Sequence, residues 1–144
     1  MSEPLYQIPF IPELPAPPKP RQRWVLHITL FVLTFITCTM AGVAWTMRDP
    51  YEIENWCFGF TYAILLLLFL SSHEFGHYFA ARIHKVEATL PFYIPIPAGL
   101  SPFGTLGAVI RTRSQVPSRK VMFDIGVAGP IAGFIVCLGI LIWG

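Results

Sequence analysis

The stretch Leu65-Leu66-Leu67-Leu68-Phe69-Leu70-Ser71-Ser72-His73-Glu74-Phe75-Gly76-His77 joins a run apolar enough for lipid to two histidines and a glutamate. On a helix, residues four apart share one face about 6 Å apart along the axis, so both imidazoles can converge on one metal ion. Glu74 sits one residue round from His73, where its carboxylate can reach a water at the open position of that ion. This is the geometry of a zinc site with a carboxylate as general base. The letters His-Glu-x-x-His alone are a weak pattern, and their place at the end of an apolar run is the stronger signal. Ionisable groups inside a span are costly and point to function. The bland alternative is a satisfied polar cluster within a helix bundle.

Around this stretch the chain has 144 residues, 54% of them hydrophobic and only 12% charged, which excludes an ordinary soluble domain and makes a membrane protein the default. A net charge of +2, with the basic residues beside apolar spans, argues against nucleic acid as a partner. Cys38, Cys57 and Cys137 form no Cys-x-x-Cys pair and read as packing residues.

Residues 1–20 hold seven prolines, so 1–23 is expected to be an extended or disordered tail, without a cleaved signal peptide. Three spans follow, at about 24–46, 56–84 and 121–143, each long enough to cross a hydrocarbon core of about 30 Å at 1.5 Å per residue. The threonines of the first span can bond back to helical carbonyls, and His27 reads as interfacial. Gly126, Gly129 and Gly133 give the third span a small-residue face for close packing, and Pro130 removes the hydrogen bond to the Gly126 carbonyl. Residues 82–120 carry six Lys or Arg against one Glu, whereas 48–54 carries one basic and three acidic residues. The basic end, and with it the N-terminus, is therefore expected to face the cytoplasm. Counting back from Arg82 puts His77 about 7 Å and His73 about 13 Å inside that end.

The connection 85–120 is rich in Pro, Gly and aromatics. Its prolines exclude a helix in the first part, and Ala108 to Thr112 has the β-branched content of a short strand. Two readings stand side by side: a β-rich interfacial hairpin whose edge could hold a substrate segment by strand addition, or a surface connector with its aromatics among the headgroups. The fold class is thus an all-α polytopic membrane protein, with three transmembrane helices and a short β-rich interfacial loop between the second and third.

Four pieces in order resemble the site-2 protease family of intramembrane zinc metalloproteases: Ser72-His73-Glu74-Phe75-Gly76-His77-Tyr78, Ala80-Ala81-Arg82, Phe103-Gly104-Thr105-Leu106-Gly107-Ala108, and Ala128-Gly129-Pro130-Ile131-Ala132-Gly133. The resemblance covers roughly Leu65 to Trp143. It implies zinc ligands at His73 and His77, a catalytic base at Glu74, a glycine-rich membrane-associated sheet, and a Gly-Pro helix packed on the zinc-bearing one. It also implies a transmembrane protein as substrate and the lipid bilayer as surroundings.

Two departures stand out. Gly133 occupies a position where many members have Asn, and no Asp-Gly pair supplies the acidic third ligand. His84 is on the face of His73 but about 16 Å along the axis, too far for bonds of about 2 Å. Ile83 and Ala80 stand where a third His and a helix-ending Gly would be needed. Glu87 and Asp124 would require a fold-back. The third ligand is therefore expected C-terminal to these residues, in a longer enzyme. Two rivals are a catalytically inactive membrane protein of the same fold that binds transmembrane helices, and a membrane-anchored protease with its site in the cytoplasm.

Overall fold

In a computed structural model the chain is described over residues 23–97 and 99–143. The proline-rich tail expected over 1–23 lies outside the described residues except for Arg23. Three helices, α1 (Trp24–Trp45), α2 (Cys57–Ile83) and α3 (Arg119–Trp143), are each long and apolar enough to cross a membrane. Strands β1 (Phe92–Pro95) and β2 (Thr105–Val109) form an antiparallel pair between α2 and α3. The chain is a multi-pass membrane protein with a small sheet, and the helix ends fall within two residues of those read from hydropathy.

α2 is the centre of the bundle, with α1 on one side and α3 on the other, and glycines make both contacts close. A Cβ on Gly42 of α1 would meet the Gly59 Cα at 2.9 Å, and one on Gly59 would overlap the Thr39 carbonyl oxygen. On the other side, a Cβ on Gly76 would stand 2.6 Å from the Ala128 carbonyl oxygen and 2.9 Å from the Ala132 Cβ. With lipid as solvent, such close approach replaces the hydrophobic drive of a water-soluble core. Large side chains such as Ile28, Val32, Leu68, Phe134 and Ile135 point outward and stay exposed, as lipid-facing positions do.

Only part of the small-residue face expected on α3 is used. Gly129 and Gly133 are buried against α2, whereas a Cβ on Gly126 would meet nothing within 4 Å. The seam instead runs through Ile125, which packs with Ala81, Val86 and Ala88. Gly126 sits at its rim.

The connection after α2 goes deeper than an interfacial loop. Its carbonyl oxygens are met in turn by donors along α1: Pro91 by His27 Nδ1 at 3.0 Å, Gly104 by the Thr37 hydroxyl at 2.6 Å and Pro102 by the Trp45 indole at 2.9 Å. From His27 to Trp45 is about 27 Å of helix, close to the hydrocarbon thickness. The hairpin therefore re-enters the bundle and its tip lies level with the far end of α1. Irregular backbone survives at such depth only when protein satisfies its polar groups, and these side chains do so. His27 is buried against the hairpin, its ring 4.2 Å from that of Phe92, so its imidazole is a partner of the hairpin backbone. Thr37 bonds outside its own helix as well as within it.

The strand also begins earlier than expected. β2 starts at Thr105 and is paired with Phe92–Pro95, while Thr112 forms an isolated bridge with Ala88. Gly104 holds φ +76°, and a Cβ there would overlap the Thr37 carbonyl oxygen. Only glycine suits that corner.

Candidate metal centre

His73 and His77 project from the C-terminal half of α2 toward α3, on one face as their four-residue spacing requires. Their Nε2 atoms are 3.1 Å apart and their rings are nearly perpendicular, at 79°. Two nitrogens bound to one tetrahedral ion at about 2.0–2.1 Å lie about 3.3 Å apart, so the pair fits a common ion.

α3 fixes His77 from two directions. The Ile125 carbonyl oxygen accepts a hydrogen bond from His77 Nδ1 at 2.7 Å. A carbonyl only accepts, so the proton is on Nδ1 and Nε2 presents its lone pair, which is the tautomer a metal requires. The imidazole lies on Gly129, where a Cβ would overlap the ring. His73 is supported less tightly: a Cβ on Gly133 would be 3.5 Å from its Nδ1 and 3.0 Å from Phe69. Gly133, the departure noted in the sequence, therefore faces His73 with no polar group of its own.

Glu74 is turned one residue round the helix, toward the hairpin, and is buried with 8% of its surface exposed. Its carboxyl lies beside the backbone of Ile110, just past β2, and is near enough to His77 to interact electrostatically. Three residues back along the same helix, the Ser71 hydroxyl is 2.7 Å from the Tyr93 hydroxyl of β1. The two hydroxyls form a hydrogen-bonding strut between helix and hairpin.

The structure brings His73, His77 and Glu74 to one stretch of helix surface. Among the described residues no group of three His, Cys, Asp or Glu side chains gathers to hold an ion. Asp124 does not fold back to the pair, since it sits 3.3 Å from His84 Nε2 at the basic end. Sequence reasoning missed the Ile125 carbonyl, the Ile110 backbone and the Ser71–Tyr93 strut. Backbone groups leave no letter in a sequence, and Ser71 had only its place three residues before Glu74 to mark it.

The model of peptidase family M50 matches residues 61–144. The chain belongs to peptidase family M50. The match opens four residues before the stretch at Leu65 where the sequence resemblance begins. Among curated relatives, a probable zinc metalloprotease EGY1, chloroplastic, of Oryza sativa subsp. japonica is 35% identical over 140 residues, covering 81% of this chain and 23% of the relative. Its counterpart in Arabidopsis thaliana is 30% identical over 138 residues, 81% of this chain and 24% of the relative. A probable zinc metalloprotease EGY2, chloroplastic, of Arabidopsis thaliana is 31% identical over 81 residues, 56% of this chain and 14% of the relative. The chain thus spans about a quarter or less of the length of these M50 relatives. No solved structure gives a significant match.

Proposed function

We propose that this chain carries two zinc ligands, His73 and His77, and the general base, Glu74, of an intramembrane metalloendopeptidase that cleaves transmembrane segments of membrane proteins. The observation that carries the reading is the Nε2 to Nε2 distance of 3.1 Å on a helix long and apolar enough to span a bilayer. Membership of family M50 and the zinc metalloprotease names of the relatives support it. The remaining zinc ligand comes from outside the described residues.

When bound, zinc supplies Lewis acidity toward water and the scissile carbonyl. His77, oriented by the Ile125 carbonyl and Gly129, keeps its Nε2 lone pair aimed at the ion. Glu74 accepts a proton from the attacking water and delivers it to the leaving amine. The carboxyl lies beside Ile110 at the end of β2, so that the strand can align an extended substrate next to the base. The basic ends of the three helices, with Arg23, Arg82, Lys85, Arg119 and Lys120, face the cytoplasm together with the N-terminus. The site is then reached from that side, a turn or two below the surface.

The test is cleavage of a membrane-embedded substrate by the intact protein reconstituted in vesicles. Glu74→Gln lowers the rate by about 10²–10⁴-fold while zinc content is retained. Undiminished cleavage by Glu74→Gln would show that another group is the base. The reading of an inactive relative that binds transmembrane helices predicts no cleavage by the unsubstituted protein either.

A further inference from the structure

Leu66, Leu70 and Glu74 are four residues apart and form one stripe along α2. Leu66 and Leu70 also floor an open groove of about 480 Å³, whose opposite wall includes Ile96, Phe103, Leu106 and Gly107. The groove starts about one helical turn, or 6 Å, from Glu74 and runs a further turn away from the basic end. A Cβ on Gly107 would meet nothing within 4 Å, so the β2 wall stands clear of the space.

An acyl chain and a peptide could both lie against such apolar walls. The strand decides between them. Among the described residues β2 pairs with β1 alone; Thr105 Oγ1 bonds the Gly107 amide and carbonyl, and the remaining backbone groups of the other edge meet no strand at a depth where water does not satisfy them. Hydrocarbon cannot satisfy them either, whereas an extended peptide can. A peptide on that edge advances about 3.3 Å per residue, so a side chain about two to four residues from the bond at Glu74 arrives over Leu70 and Leu66.

We propose that this groove is a specificity pocket, which takes a bulky apolar side chain of the substrate's membrane segment two to four residues from the scissile bond, on the side away from the basic end. Leu66, Leu70 and Leu106 set its size. Its volume exceeds that of one aromatic side chain, so leucine and phenylalanine both enter, and its lining, apolar apart from Ser101 and Thr105, holds no counter-charge for an ionised side chain. The inference rests on the protease reading, since it takes Glu74 as the point where the peptide bond lies.

The experiment uses the intact protein with Glu74→Gln, in phosphatidylcholine vesicles, with synthetic apolar peptides of about 25 residues. Each peptide carries one photoleucine, a leucine-sized photo-crosslinker, moved through consecutive positions. Adducts on Leu66, Leu70 or Leu106 are expected to peak in one register and to fall several-fold when Leu66→Trp fills the groove. Adducts to lipid alone, or spread evenly over outward positions such as Phe134 and Ile135, overturn the pocket. Cleavage of the same peptides by the protein with Glu74 intact is scored separately. There Leu66→Trp should lower kcat/KM several-fold more for a bulky residue than for alanine in that register, at unchanged zinc content. An equal loss for both residues overturns the pocket. Register-specific adducts without any cleavage leave the groove standing and remove the protease reading.

Discussion

Where α2 meets α3 the helices touch through glycine backbone, with Gly76 against Ala128 and Gly129 under the His77 ring. Where α1 meets the hairpin, the contact is a row of imidazole, hydroxyl and indole donors on carbonyl oxygens. The first contact depends on side chains that are absent and the second on side chains that are present. Both follow from the bilayer as solvent: helices gain by close approach, and exposed backbone must find partners within the protein. The difference teaches where the molecule tolerates change. Adding atoms should be severe on the α3 side, and removing one donor should be mild on the α1 side.

The largest effect is expected at Gly129. Replacing it by leucine displaces the His77 imidazole, and groups that orient a metal-bound histidine contribute about 10–100-fold to metal affinity. Zinc competition with a chromophoric chelator should show a loss of that size. Unchanged affinity would mean that α3 does not seat the histidine. Gly59→Leu comes next, because a side chain there overlaps the Thr39 carbonyl and forces α1 off α2. Overpacking of this kind costs about 1–3 kcal/mol, readable as a shift in unfolding in mixed micelles. A neutral result would show that the α1 seam is loose.

On the hydrogen-bonded side, Thr37→Val removes the 2.6 Å bond to the Gly104 carbonyl and Trp45→Phe the bond to Pro102. Each should cost about 0.6–1.7 kcal/mol by the same unfolding measurement, the range found for polar contacts between membrane helices. A loss as large as that of Gly59→Leu would erase the contrast between glycine contacts and hydrogen-bonded ones. The smallest effect is expected for His84→Ala, since its contact with Asp124 is partly exposed and such pairs contribute about 0–1 kcal/mol.

Much of this was legible in the sequence, for reasons that differ along the chain. The spans of α1, α2 and α3 follow from hydropathy because lipid imposes length and composition on every crossing helix. The convergence of His73 and His77 follows from helical periodicity alone. The seat of His77 was legible only in outline: Gly129 and Gly133 pointed to close packing, but the Ile125 carbonyl is a backbone atom with no letter of its own. Gly126 shows the limit of face counting, because helices in contact touch along a stripe and a residue at its rim meets open space. The depth of the hairpin was hidden for a further reason. Prolines and glycines at 91–104 announced irregular backbone, which membranes exclude unless it is covered, and its cover is scattered over His27, Thr37, Trp45 and Tyr62 of two other elements.

The most direct measurement is zinc K-edge X-ray absorption on the intact protein. The account predicts one zinc per chain with two imidazole nitrogens at about 2.0–2.1 Å, reduced to one in His77→Ala. A protein that purifies without zinc, or whose zinc keeps the same imidazole signal when His73 and His77 are both replaced, would contradict it.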